Sequence, residues 1–263
     1  MEAALSPAGS SGAPVLAAVD WSRPWLQPYA ALQQRAHAAL RAQPDAAVWQ
    51  LLNALGECGR SFVPQQALPP GEAYEHFVQR TRSVPTRDSL HDWFNGLVWQ
   101  RFAHTKARLN ALQAGAVAQA GVGAHRGPLR DAITLLDENG AFLAASDAVW
   151  QALRQRQWRR LFVDLRGEWR QARLLLFGHA LLEKLVQPRK PVTAHVFCLP
   201  RALRLVDNTD ADVAGQLSAE HLAGKPFVPL PVLGVPGWWK ENENFSFYDD
   251  SAVFRPARSP EPR

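Results

Sequence analysis

The sequence predicts an α+β protein. Apolar residues at helical spacing dominate the first half, short apolar runs bounded by turn residues dominate the second, and a Pro-rich aromatic segment closes the chain. The expected architecture is a helical N-terminal half packed on a small mixed or antiparallel sheet, with an extended C-terminal wrap. A chain of 263 residues that is 47% hydrophobic can build a substantial core, and its 10 Trp are spread from Trp21 to Trp239. One globular domain over residues 20–257 is therefore expected, between a disordered leader at 1–19 and a flexible tail at 258–263.

The elements follow in order. After WSRPWLQPY, helices are expected over about Pro28–Ala42 and Pro44–Leu55, the second ending at Gly56. SFVPQQALPPGEAYEHFVQRT reads as an extended piece, a Pro69-Pro70-Gly71 turn and a short helix from Glu72 to Thr81. HDWFNGLVWQRFAHTK, His91 to Lys106, reads as one amphipathic helix, with Thr86 or Asp88 available to cap it. DAITLL, DENG and AFLAAS read as a β-hairpin around an Asp/Asn/Gly turn. Next come a helix from Asp147 to about Gln157, a strand at ARLLLF, and a helix from His179 to Gln187. A strand at VTAHVFCL and a helix over about Asp210–Ala223 follow. The segment from Pro226 to Pro256 is expected to wrap over the domain.

Composition narrows the function classes. Cys58 and Cys198 lack any CxxC or Cys/His spacing, so two buried thiols are expected and neither a zinc finger nor a disulfide framework. The N-terminus lacks the pattern of a secretory signal, and no stretch reaches the ~20 apolar residues of a membrane span. A cytoplasmic protein is the expectation. Net charge is +5, from 24 Arg and 5 Lys against 24 acidic residues, which gives nucleic acid weak support as a partner. GxGxxG, GxxxxGK[ST] and GxSxG are all missing, so nucleotide folds and serine hydrolases lose ground. GVGAHRGP, residues 121–128, reads as a connection and not as a phosphate loop.

Four groupings can carry chemistry. Asp88, His91, Asp92 and Asn95 fall three and four apart, so they share a stripe on their helix: His91 as base or ligand, Asp92 as its orienter, Asn95 to position substrate or water. His179 and Glu183, four apart in GHALLEK, can share a metal or a proton. Trp238, Trp239, Asn242, Tyr248 and Asp249 place aromatic surface beside polar groups, as ligand-binding walls do. Arg154, Arg156, Arg159, Arg160, Arg166, Arg170 and Arg173, interleaved with Trp150, Trp158 and Trp169, can bind a nucleic-acid backbone and stack bases. Each also has a plain structural reading: caps, surface pairs, core plugs, a solvated face.

Two readings of the whole follow. The first is an enzyme using acid-base or metal-assisted hydrolysis, with a pocket that joins the His91 and His179 helices and has the Trp238–Asp250 segment as a wall. The second is a non-catalytic binding module using the Arg/Trp face on nucleic acid or an acidic partner; a purely structural role is the third. No motif specifies a cofactor, metal or partner.

VPTRDSLHDWFNGLVWQRFAHTK, RGPLRDAITLLDENGAFLAASD, LLLFGHALLEKL, LPVLGVPGWW and YDDSAVFRP resemble the successive signature blocks of a bacterial family, domain of unknown function 3025. The blocks occur in order over about residues 60–256. The family's pattern reads FPxTK where this chain has Ala103, which leaves His91, Asp92, Asn95 and Lys106 untouched. The resemblance implies a bacterial cytoplasmic protein with a fold shared along the chain, and it supplies no catalytic assignments.

Overall fold

A computed structural model describes residues 12–120, 127–200, 203 and 210–257. The tail at 258–263, the first part of the leader and most of GVGAHRGP lie outside the described residues. Within the stretch read as leader, α1 (Ala13–Ala17) buries Leu16 in the core. A 3₁₀ turn (Pro24–Tyr29) then leads into α2 (Ala30–Ala42), followed by α3 (Val48–Ala54). Strand β1 (Ser61–Pro64) pairs in parallel with β2 (Ser83–Thr86), and α4 (Tyr74–Thr81) forms the crossover between them.

The helix expected over His91–Lys106 is two helices, α5 (Leu90–Arg101) and α6 (Ala103–Ala120), broken at Phe102. The break is a backbone event: Phe102 adopts φ −129°, ψ 50°, outside the helical region, while its N–H still closes onto Val98. Neither Thr86 nor Asp88 caps α5. Ser89 does, its hydroxyl accepting from the Asp92 N–H at 3.2 Å, while Asp88 accepts from Val48 N at 2.6 Å and so caps α3 across the fold. Nor is α5 amphipathic in its setting: every residue from Asp92 to Trp99 is buried, polar ones included. The Asp88–Asn95 stripe therefore points into the protein.

The hairpin expected around DENG is replaced by a helix, α7 (Pro128–Asn139), running directly into β3 (Gly140–Ala144). Pro128 is pre-set for the first helical turn, and Ala132, Ile133 and Leu136 bury one face at helical spacing. The helix ends where Gly140 turns to extended backbone (φ −79°, ψ 155°), a position that suits glycine because a Cβ there would collide with the Leu136 carbonyl. The real partners of β3 are distant in sequence: β4 (Arg173–Leu176), antiparallel, and β5 (Thr193–Leu199), parallel. The last strand, β6 (Phe227–Pro231), joins antiparallel at the edge beyond β5, where its prolines are tolerated. The order β4-β3-β5-β6 makes a mixed sheet, and the class is α+β.

Helix α8 (Asp147–Arg154) follows β3 and ends short of Gln157. Helix α9 (His179–Lys184) is a turn shorter than expected, and the helix expected at 210–223 is split into α10 (Asp210–Gly215) and α11 (Ala219–Ala223), the latter capped by Ser218. After β6 the chain winds through short 3₁₀ turns over Lys240–Glu243 and Phe245–Asp249. Phe102, Phe142, Phe177 and Phe197 fill the space between sheet and helices in tilted and edge-on contacts. Both thiols are free. Neither is fully buried as expected: Cys198 points outward from β5 and Cys58 is half-buried.

Candidate metal centre

Helices α5, α7 and α9 meet at one point, and each delivers an imidazole or a carboxylate there. His91 lies in the first turn of α5, His179 opens α9, and Asp137 and Glu138 lie in the last turn of α7. The Nε2 atoms of His91 and His179 face each other at 3.1 Å, with the rings edge-on at a centroid distance of 4.5 Å. Glu138 Oε2 is 3.6 Å from His179 Nε2, and one ligand atom from each of His91, His179 and Glu138 lies within 4.8 Å of the others. Two imidazole nitrogens bound to one tetrahedral Zn²⁺ at 2.0–2.1 Å would be about 3.3 Å apart, so the observed spacing fits a shared ion.

Of the two outer nitrogens, that of His91 is hydrogen-bonded and that of His179 is buried without a partner among the described residues. His91 Nδ1 lies 3.0 Å from Glu183 Oε2, and His179 Nδ1 lies 3.9 Å from Asp137 Oδ2. His179 and Glu183 thus grip His91 from both sides, four residues apart on α9. Glu183 takes the orienting role expected of Asp92, whose carboxylate instead accepts from Arg87 N at 2.6 Å, Nε at 3.0 Å and Nη2 at 3.1 Å. Asn95 faces the other way along the cavity: its Oδ1 accepts from Lys106 Nζ at 2.9 Å and its Nδ2 donates to Tyr74 Oη at 3.1 Å. Lys106 in turn donates to Asp137 at 2.6 Å.

The ring nitrogens are unevenly satisfied. A carboxylate beside Nδ1 fixes a proton on that nitrogen and a lone pair on Nε2. Glu183 behind His91 therefore leaves a lone pair on His91 Nε2, whereas His179 Nδ1, 3.9 Å from Asp137, has no hydrogen-bond partner and does not fix the tautomer of its ring. A neutral His179 in its Nε2–H tautomer satisfies the 3.1 Å contact by donating to His91 Nε2, and leaves its own Nδ1 as a buried atom with no hydrogen-bond partner. Burial, with Lys106 and His91 adding to it against the opposing pull of Asp137, lowers the His179 pKa to about 4, so that ring is neutral at pH 7. Burial alone would raise Asp137, but Lys106 and the two imidazoles outweigh it and hold the carboxyl below the ordinary aspartate range. Glu138 is raised by burial and by Asp137. A divalent cation beside the two nitrogens and the Glu138 carboxylate would take the place of the proton shared by the rings.

The centre opens on a cavity of about 340 Å³ bordered by Tyr74, Arg87, Asn95, Lys106, Gln113 and Ile133 among others. The model for the family described as "Protein of unknown function (DUF3025)" matches residues 60–258, most of the chain and every residue of this centre. The chain belongs to the DUF3025 family. No curated protein and no solved structure matches it. Among the described residues of this DUF3025 member, no helix is long and apolar enough to cross a membrane.

Other expected site residues lie elsewhere. None of Trp238, Trp239, Asn242, Tyr248 and Asp249 borders the cavity, so this segment is not its wall. Asn242 is fully buried and donates to the carbonyls of Leu233 and Val235, both at 2.8 Å, while Tyr248 donates to Gly234 O at 3.0 Å. Trp238 packs on Trp25, Trp239 lies under Arg23, and Asp249 is exposed. In the Arg/Trp run, Trp150, Trp158 and Trp169 are buried, and the last two donate to the carbonyls of Arg255 and Leu161. Their rings are not surface platforms for bases.

Glu138, Asp137 and Lys106 are absent from the sequence-derived candidates. The first two fall in DENG, read as a hairpin turn. The available signal was Leu129, Ala132, Ile133 and Leu136, whose spacing behind Pro128 places an Asp-Glu pair at a helix end.

Proposed function

We propose that this protein is a metal-dependent hydrolase, with a single divalent transition metal held by His91, His179 and Glu138. The observation that carries the reading is the pair of opposed Nε2 atoms, 3.1 Å apart beside the Glu138 carboxylate, with Glu183 backing His91 at Nδ1. Two imidazoles and one carboxylate leave a fourth position for water, the ligand set of hydrolytic zinc sites. A metal held there would lower the pKa of a bound water toward neutrality and so supply a hydroxide able to attack a carbonyl carbon. In such a hydrolysis the new C–O bond would form, the bond to the leaving nitrogen or oxygen would break, and the proton released by the water would pass to the leaving group. Lys106 borders the same cavity and donates to Asn95 and Asp137, and its third N–H would be the donor available to an oxygen that gains charge.

The test is metal analysis of the protein purified and dialysed against metal-free buffer, followed by cobalt substitution. One equivalent per chain and a tetrahedral Co²⁺ visible spectrum are expected, both lost in His179→Gln and Glu138→Gln. A folded wild-type protein that takes up neither Zn²⁺ nor Co²⁺ would sink the reading. Hydrolysis of a panel of chromogenic esters and anilides by the zinc-loaded chain, absent after chelation, is the accompanying assay.

A further inference from the structure

The cavity also has an end remote from the metal centre. Lys106, Asn110 and Gln113 lie at i, i+4 and i+7 on α6 and all border the cavity, so it follows this helix for about 10 Å, seven residues at 1.5 Å each. At the far end Gln113 is buried, and its Nε2 donates to Glu75 Oε1 at 3.2 Å. That bond fixes the amide's orientation, because a flipped amide would turn its oxygen toward a carboxylate. The result is that Gln113 Oε1 is buried with no hydrogen-bond partner. A buried acceptor in that state costs about 1–3 kcal/mol unless something donates to it.

Charge points the same way. Along the cavity Arg87 is matched by Asp92 and Lys106 by Asp137. Glu138 belongs to the metal. Glu75 has no ion-pair partner among the described residues, although it is half-buried and borders the cavity. The far end thus combines the Glu75 carboxylate with the unpartnered carbonyl oxygen of Gln113, buried in the cavity lining, both of them acceptors. Between the ends, Leu68, Leu109 and Ile133 provide apolar walls.

We infer that the substrate is an elongated cation, with an ammonium or guanidinium group held by Glu75 and Gln113, an aliphatic spacer along α6, and the hydrolysed carbonyl at the metal. This names the substrate class of the proposed hydrolytic site and rests on that reading. Each part of such a molecule meets its complement: N–H donors at the acceptor end, methylenes at the apolar walls, a carbonyl beside Lys106 and the ion.

The experiment compares three probes on the unaltered zinc-loaded chain by titration calorimetry: hexanohydroxamate, its ω-amino derivative and its ω-carboxy derivative. The hydroxamate anchors each on the metal, so the tail alone differs. The ω-amino probe is expected to bind at least tenfold tighter than the uncharged one, and the ω-carboxy probe more weakly than either. In Glu75→Gln and Gln113→Leu the three affinities should converge on that of plain hexanohydroxamate. Hexylammonium titrated into the chelator-treated protein provides a metal-free arm, where saturable binding lost in Glu75→Gln is expected.

The outcomes separate the two ideas. If all three hydroxamates bind alike, or the ω-carboxy probe binds best, and hexylammonium does not bind, the cation site is refuted while the metal centre stands. If the hydroxamates fail and hexylammonium binds through Glu75, the metal centre is refuted and the cation end stands. If nothing binds, both are overturned.

Discussion

Gly178 sits against the backbone of Glu138 with room for a hydrogen atom but not for a methyl group. A Cβ there would lie 2.5 Å from the Glu138 carbonyl oxygen and 2.6 Å from both N and Cα of Asn139. This contact sets His179, the next residue, beside the Glu138 carboxylate, and it is locked by the Gly178 N–H donating to Gly140 O at 2.8 Å. Because the obstructing atoms are backbone, Gly178→Ala must push α9 away from α7. We expect a loss of about 1–3 kcal/mol in urea unfolding together with at least tenfold weaker metal binding. A variant with wild-type metal affinity would separate this contact from the site.

Glu183 backs His91 from outside the ligand set, and such partners typically contribute 10–100-fold to metal affinity. Glu183→Gln should weaken metal binding by about that factor while leaving the stoichiometry at one ion per chain. Competition with a chromophoric chelator measures it. A lost stoichiometry would make Glu183 a ligand instead.

Lys106 is a buried ammonium whose partners are Asp137 and Asn95. Removing it strands Asp137 beside Glu138 with no neutralising cation, so Lys106→Met should destabilise the protein by roughly 2–4 kcal/mol, most of it recovered in the double variant Lys106→Met, Asp137→Leu. Denaturation of the two single variants and the double variant gives the coupling directly. Additive effects would show that the pair does not act as a unit.

The metal-free protein should lose stability in mild acid through His179. Its pKa is about 4 in the folded chain against the usual 6.5, so as pH falls below 6.5 the unfolded chain takes up a proton that the folded one refuses until about pH 4. The contribution is complete above pH 6.5 and is lost on descent toward pH 4, amounting to about 3 kcal/mol. Urea titrations at pH 7 and pH 4.5 in chelator should show this loss for the wild type and a shallower one for His179→Gln. Equal slopes would assign the acid sensitivity to other groups.

Ala103 is the first residue of α6, where a missing N–H costs nothing and a φ near −65° is favoured. The proline of the resembling family pattern would fall at this residue. Ala103→Pro is therefore expected to keep the fold and to raise the melting temperature slightly, by the equivalent of up to about 1 kcal/mol. A drop in melting temperature would mean that the bend at Phe102 does not accept a proline after it.

Local patterns in the sequence carried much of the architecture. The 3.6-residue spacing that buries Trp93, Phe94, Leu97 and Val98 acts within one turn, as do the proline that starts α7 and the short apolar runs of β4 and β5, so no distant residue is needed to read them. The α+β class follows from such elements. Where two local readings competed, as in DAITLLDENG, only pairing decided: β3 found β4 and β5, and the residues before it stayed helical. The break at Phe102 is another such case, since helix propensity runs through it.

The candidate site divides along the same line. His91, Asn95, His179 and Glu183 were visible because each belongs to an i, i+4 pair on its own helix. That His91 pairs with Glu183, 92 residues away, and not with its neighbour Asp92 depends on how α5 and α9 pack, and so does the meeting of the two histidines with Glu138. By itself the sequence determined which helix faces carry polar groups, since that depends on spacing alone. Only the tertiary structure decided which of those groups meet around one cavity, because burial and contacts between distant side chains arise between elements and are encoded in no single one of them.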